Sequence, residues 1–318
     1  LAGVDVEHMV TVDLDHLGDT VRAELSALLD RADAAGGHAA LPEPQLLAVT
    51  HPGTAPAEDR AVLTRDRGAL VGFALLSPAQ DGSTVLHVAA DPATRADGTD
   101  DAIVSALIGR AVTEAPADAP VHLWAMHAGP ADDDRASAHG FVAERDLLQM
   151  RVPLPLAPDV VTATRPLPTR PFVPGRDEEA WVDTNNRAFA GHPEQGGWTV
   201  EQLRERMAAE WVELDGFLVA DDPDGAGLIG SCWTKVHRDR TPVLGEIYVI
   251  AVDPRHHGQG WGRSLTVSGL ESLWRRGATV GMLYTDATNA VAVALYTSLG
   301  FTIDHVDRSY RRDPADTA

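Results

Sequence analysis

One cysteine, Cys232, is present in 318 residues. No intrachain disulfide can form, which fits a reducing compartment and makes the cytoplasm the expected location. Basic residues are also scarce: 26 Lys and Arg stand against 47 Asp and Glu, a net charge of -21. A surface this acidic repels phosphate polymers and anionic lipid, so neither nucleic acid nor membrane is an expected partner. The acidic residues are spread along the chain, as on a solvated face. No run of about 18 apolar residues occurs, so no membrane-spanning helix is expected. The first residues lack a basic stretch followed by an apolar core, so no signal peptide is expected. What remains, 44% hydrophobic and 23% charged, is the composition of a globular protein with room for two domains.

The pattern along the chain predicts one order of elements twice. In the first half it gives a helix over 13–35 and strands at 46–50, 61–64, 68–76 and 85–90, the last stopped by Asp91-Pro92. A helix over 100–112, a strand at 121–126, a short helix over 132–139 and a strand over 141–152 follow. Prolines 153, 155, 158, 166, 168 and 171 mark a linker over 153–171. In the second half, helices are predicted over 176–189 and 201–211 and strands at 216–220, 228–236 and 243–252. A helix over 260–275, a strand at 280–285, a helix over 290–299 and a strand from Phe301 onward complete it. Sequence echoes support duplication: Asp91-Pro92 answers Asp253-Pro254, and His139-Gly140-Phe141 answers Leu299-Gly300-Phe301. The expected domains are 1–152 and 172–318, each a mixed α/β sheet flanked by helices.

The richest stretch is Gly245-Glu246-Ile247-Tyr248-Val249-Ile250-Ala251-Val252-Asp253-Pro254, followed by His257-Gly258-Gln259-Gly260-Trp261-Gly262. Its β-branched residues suit a central strand, and the next helix should bury Leu265, Leu270, Leu273 and Trp274. Glycines before a helix leave backbone N–H groups open to an anion. No Lys-Ser or Lys-Thr follows, so this is no P-loop, and the spacing is not that of a dinucleotide fingerprint. Glu246, on a strand beside that loop, is a candidate base. Tyr296, on the helix that Asn289 should cap, is a candidate acid, although by chemistry alone it fits a core position better. His256 and His257 adjoin without a further ligand at metal spacing, so no metal is expected. The first half lacks these groups. Arg95, Asp97, Gly98 and Asp100 stand where the glycine loop would be, with Thr84 opposite Glu246 and Ala136 opposite Tyr296.

The loop and its strand resemble the acetyl-CoA pyrophosphate loop of the GNAT acetyltransferases, except that His257 stands where that family usually has Gln or Arg. More specifically, residues 185–199, the segment Trp233-Thr234-Lys235-Val236-His237 and the Glu246 strand resemble the mycothiol synthase family of tandem GNAT proteins. That resemblance implies two GNAT domains, the first degenerate and non-catalytic. It implies acetylation of the cysteine amine of cysteinyl-glucosaminyl-inositol, a pseudo-disaccharide, with acetyl-CoA as co-substrate and Glu246 as base and Tyr296 as acid. Acetyl-CoA would lie on Ile250, Ala251 and Val252, on His257, Gly258, Gln259, Gly260, Trp261, Gly262 and Arg263, and on Asn289, Ala290, Val291, Ala292, Val293 and Ala294. Glu43, Glu194, Lys235, Glu246 and Tyr284 would contact the amine substrate. Family members can hold a second, non-reacting acetyl-CoA at the strand of Val88 to Ala90, which Asp97 and Asp100 oppose here. A monomer is expected. The residues also admit a GNAT enzyme for another amine (an aminoglycoside, polyamine or peptide) or a non-catalytic acyl-CoA-binding module. Taken as bare residues, Glu194 fits an ordinary surface loop and Lys235 a solvated strand end.

Overall fold

A computed structural model describes residues 9–36, 39–79, 81–96, 98–190, 196–225 and 227–314. The chain divides into two units, residues 1–147 with 305–318 and residues 148–304.

The first unit opens with strand β1 (Met9–Asp13) and a single 3-10 turn before helix α1 (Asp19–Gly36). The expected start at residue 13 is thus too early: Val10-Thr11-Val12 pairs with Leu63 to Ala61, and Gly18 supplies the first helical acceptors. Helix α2 (Glu43–Thr50) occupies the stretch expected as a strand at 46–50. Four apolar residues in a row do not distinguish strand from buried helix, whereas Pro42 and Pro44 suit a first helical turn that has no acceptor for their missing N–H. Then come β2 (Arg60–Asp66), β3 (Ala69–Pro78), β4 (Thr84–Ala90), the short α3 (Ala93–Ala96), α4 (Asp100–Glu114), β5 (Val121–Ala125), α5 (Pro130–Ala138) and β6 (Val142–Pro153). The strand order is β1-β2-β3-β4-β5, antiparallel except for the parallel β4–β5 pair. Leu25, Leu28 and Leu29 of α1 pack on Phe73 and Leu75 of β3, and Ile103 and Leu107 of α4 pack on Ala74 and Leu86.

The second unit has α6 (Pro158–Thr162) and β7 (Arg170–Pro171) inside the Pro-rich stretch. It continues with α7 (Glu178–Ala188), α8 (Val200–Met207), β8 (Phe217–Asp221), β9 (Leu228–His237), β10 (Leu244–Val252), α9 (Trp261–Arg275), β11 (Val280–Asp286), α10 (Ala290–Ser298) and β12 (Thr302–Arg312). Its order is β6-β11-β10-β9-β8-β7, with β10–β11 parallel and β10–β9 antiparallel. From His305 on, β12 belongs to the first unit, where Arg308–Arg312 pair with β5 and Tyr310 is a core residue. On one face of the β8–β9–β10 sheet, Trp181, Phe217 and Trp233 form an aromatic core with Phe172 and Leu203. On the other, α9 buries Leu265, Leu270 and Leu273. Trp274, expected beside them, is 49% exposed. A 100° step per residue carries it off the face that Leu273 occupies.

Candidate active site

The site grows out of one irregularity. From Leu244 to Ile247, β10 pairs with His237 to Thr234 in one register; from Val249 it pairs with Trp233 in the next. Tyr248 is therefore the extra residue of a β-bulge, a device that re-aims side chains and interrupts pairing. Beside it, the parallel pairing of β10 with β11 covers only Leu244–Val280, Gly245–Gly281 and Glu246–Met282. Beyond Glu246 the two strands part.

The register fixes which way the backbone points in that gap. The Asp253 N–H donates to the Ile229 carbonyl (2.9 Å), which makes this a hydrogen-bonded pair. Such pairs alternate along an antiparallel ladder. Ala251 and Val249 thus bond to β9, while Ile250 and Val252 turn their N–H and C=O groups to the edge that β11 has left.

Side chains on the α7 face follow from the same register. Lys235 lies opposite Glu246, and His237 opposite Leu244. Residues directly opposite, and residues two apart, share a face, so Lys235, His237 and Glu246 converge. His237 Nε2 sits 2.8 Å from Glu246 Oε2, and both side chains are largely shielded. The Lys235 ammonium stands 4.7 Å from the centre of the Trp211 ring, and that ring meets Tyr248 edge-on at 4.9 Å. The result is a carboxylate gripped by an imidazole, with a cation on an aromatic wall beside it.

At the far end of β10, Asp253 anchors the loop. Its fully buried carboxylate accepts from the Arg255 N–H (2.9 Å) and binds the Arg255 and Arg187 guanidiniums at 2.9 and 2.8 Å. The hydrogen bonds from Arg255, with those from Arg187, hold its carboxyl well below the usual carboxylate range. The adjacent histidines part company: His256 Nε2 meets Asp222 Oδ2 at 3.0 Å, and His257 Nε2 meets the Val252 carbonyl at 3.0 Å. Gly258 and Gly260 take φ of +75° and +85°, a left-handed backbone that favours glycine. Gly260 caps α9 without a side chain. The first N–H groups of α9, from Trp261 to Arg263, thus have no acceptor of their own inside the helix. A Cβ on Gly262 would lie 3.5 Å from Leu295 of α10 and 4.0 Å from Val252, so loop, strand end and α10 meet at one point.

Helix α10 is capped as expected, the Asn289 side chain accepting from the Ala292 N–H at 3.1 Å. Val291, the second residue of the helix, is 82% exposed. Tyr296 is buried beside Phe301, with ring centres 5.7 Å apart. Burial pushes its hydroxyl up to about 12, so it stays protonated at neutral pH. Tyr284, on β11, accepts from Gln149 Nε2 at 2.6 Å, and Gln149 is itself buried and held by Arg151 (2.7 Å). Cys232 is fully buried, its thiol pushed up to about 12 by burial, so it is no nucleophile at neutral pH.

The structure thus brings Lys235 and Glu246 onto one face, and the loop residues, Val252 and the start of α10 around another point. Glu43 opens α2 in the first unit, and Glu194 lies outside the described residues. Sequence reasoning missed His237 and Gln149. A histidine two residues beyond Lys235 was the one signal available for His237.

This strand–bulge–glycine loop–helix arrangement, in a chain whose sheet-and-helix frame occurs twice, defines a GNAT N-acetyltransferase. The model of the Acetyltransferase (GNAT) family matches residues 179–301. A GCN5-related N-acetyltransferase from Sphaerobacter thermophilus shares the fold with a TM-score of 0.68 at 19% identity, covering 98% of this chain and 97% of that one. A tandem GNAT protein from the clavulanic acid biosynthesis pathway does so with a TM-score of 0.67 at 15% identity over 98% and 99%. More specifically, the chain belongs to the mycothiol acetyltransferase family. It is 41% identical over 302 residues to the mycothiol acetyltransferase of Thermomonospora curvata, covering 94% of this chain and 96% of that one. It is accordingly an acetyltransferase that uses acetyl-CoA and a small-molecule amine. Among the described residues no helix is long and apolar enough to cross a membrane.

Proposed function

We propose that this chain acetylates the cysteine amine of cysteinyl-glucosaminyl-inositol, giving mycothiol, with residues 172–318 catalytic and residues 1–152 a non-catalytic copy. The single observation that carries the mechanism is the Glu246 carboxylate, held by His237 at the point where β10 parts from β11. The name shared by the chain's relatives, mycothiol acetyltransferase, supports the choice of substrate.

Each residue then has one task. Glu246 takes the proton that the substrate ammonium must lose before it can attack, directly or through one water. His237 occupies one carboxylate oxygen and leaves the other for that proton. The Ile250 N–H, turned into the gap, donates to the carbonyl oxygen as negative charge builds there. The amine nitrogen bonds to the thioester carbon, the carbon–sulfur bond breaks, and the proton that the nitrogen sheds as the amide forms balances the one the sulfur takes up to end as a thiol. Tyr296 serves the departing sulfur as acid in the sense of a hydrogen-bond donor. A phenol titrating at about 12 hands its proton fully to an alkyl thiolate, of pKa about 8.5, only uphill. Lys235 and Tyr284 contact the sugar and inositol hydroxyls, and Cys232 takes no part.

The loop residues 257–263 hold the pyrophosphate on backbone N–H groups, with Ile250 to Val252 and Asn289 to Ala294 along the pantetheine arm. Their fit rests on the two left-handed glycines and the uncapped start of α9.

Release of free CoA thiol, followed across a panel of amines, tests the reading. Cysteinyl-glucosaminyl-inositol should be acetylated with kcat/KM at least about 10²-fold above a polyamine, an aminoglycoside or a free amino acid, as expected where a site's polar groups are left unpaired by the wrong substrate. A comparable rate with any of those amines would overturn the substrate assignment.

A further inference from the structure

The segment between the two repeats folds back onto the glycine loop. Thr164 Oγ1 accepts from Arg263 Nε at 3.1 Å, and the Arg165 carbonyl accepts from Ser264 Oγ at 2.8 Å. The Arg165 guanidinium lies over the ring of Trp261, the first residue of α9, its Cζ 3.8 Å from the ring centre, and its Nη1 reaches towards the Gln259 carbonyl at 3.5 Å. Three separate contacts thus fix this exposed arginine beside the loop.

The neighbouring cations are differently committed. Arg255 and Arg187 are bound to the Asp253 carboxylate. Arg263 is held by two hydroxyls, Thr164 Oγ1 and Ser298 Oγ, the latter at 2.9 Å. Arg165 has no carboxylate partner among the described residues. A guanidinium held over an indole face still has N–H groups at its rim to offer a phosphate. In a chain of net charge -21, a polyanion needs such a local cation to approach at all.

We propose that Arg165 is a phosphate ligand of acetyl-CoA, brought to the loop by the inter-repeat segment. This rests on the reading that acetyl-CoA lies on residues 257–263. The phosphate is either the pyrophosphate or the 3′-phosphate, and both offer the same oxygens to a guanidinium. The arm also accounts for α6, which positions Thr164 through Thr164 Oγ1 donating to the Val160 carbonyl at 2.8 Å.

Titration calorimetry of the full chain with acetyl-CoA and with its 3′-dephospho form tests it. Arg165→Ala should weaken acetyl-CoA about tenfold, with an unchanged melting temperature and a gap from the parent that shrinks as salt rises. Arg165→Met, which keeps an aliphatic stem over Trp261, should behave like the alanine variant. If the gap vanishes with the dephospho form, the 3′-phosphate is the partner; if it persists, the pyrophosphate is. Equal affinity of parent and both variants for acetyl-CoA would overturn the proposal, as would a gap that Arg165→Met alone restores. Failure of the parent itself to bind acetyl-CoA would instead sink the reading of the loop.

Discussion

The two repeats end their fourth sheet strand on the same joint and then diverge. In the first, Asp91 accepts from the Ala93 N–H (3.0 Å) and binds Arg31 of α1 (2.6 Å). In the second, Asp253 accepts from the Arg255 N–H (2.9 Å) and binds Arg187 of α7 (2.8 Å). The later joint is duplicated too: the Phe141 N–H donates to the Ala136 carbonyl (2.9 Å), as Phe301 does to Tyr296 (3.1 Å). The frame of the fold is present twice, and the residues to which we assign the chemistry stand in the second copy. The β3–β4 ladder runs from Gly72–Ala90 to Pro78–Thr84 without a bulge. Counting back from the Asp joints through these registers, Val85 stands in the place of Glu246, rather than the Thr84 expected from sequence, and Ser77 in that of Lys235. Ala136 replaces Tyr296. After Asp91 the chain forms α3, and Arg95 lies 3.8 Å from Asp100 where the other copy opens its glycine loop. Asp97 lies outside the described residues. One inserted residue, Tyr248, thus sets the register of β10 apart from that of β4.

The largest effect should come from Glu246. Glu246→Gln lowers turnover by about 10²-fold or more with acetyl-CoA binding little changed, whereas Val85→Ala at the matching position leaves turnover as it was. Steady-state kinetics on both variants would break the comparison if the Val85 variant lost as much as the Glu246 variant.

Next is Tyr296. Tyr296→Phe should slow single-turnover acetylation about tenfold or more while keeping the fold, because only the hydroxyl is lost. Since that hydroxyl titrates only near 12, it is protonated throughout pH 6–9 and the deficit should be constant across that range. A deficit that disappears as pH rises towards 9 would show an ionised phenol and refute the donor role.

The smallest effect is on stability, at the shared joint. Asp253 has a depressed folded pKa, so its contribution is fully present above the unfolded value of about 3.9 and is lost as pH falls through the folded one. Asp91 is lowered as well. Removing one member of a buried pair costs about 3–5 kcal/mol. Arg187 and Arg255 are nearly half exposed, so screening reduces this to about 2 kcal/mol for Asp253→Asn. Asp91→Asn, with one half-exposed arginine, should cost about 1 kcal/mol. Urea unfolding at pH 7 and pH 3 should show both penalties, each shrinking at the lower pH. Penalties that grow on acidification would reverse the assignment.

Much of this was legible in the residues. The order of elements in the second unit, the Asp-Pro strand ends, the Asn289 cap and the glycine loop all rest on local chemistry, which a sequence carries openly. The errors have a common cause. Residues 46–50 form a helix because Pro42 and Pro44 decide what a short apolar run cannot. Helix α1 starts late because β1 finds its partner some 50 residues downstream, at Leu63. The Tyr248 bulge is a property of two strands together, so it is invisible in either. His237 reaches Glu246 only through the β9–β10 register, Gln149 reaches Tyr284 only because β6 lies beside β11, and Arg165 comes from a stretch whose prolines announce a linker. Long-range pairing hid each of them, and it also supplied the groups that surround Glu246.

The central claim is that one repeat binds acetyl-CoA for reaction and the other does not. Titration calorimetry of acetyl-CoA into the intact chain tests it most directly. The account predicts one tight site, abolished by replacing Gly260 with a bulky residue, with any second site markedly weaker. Two equal, tight sites, of which one survives that change, would contradict it.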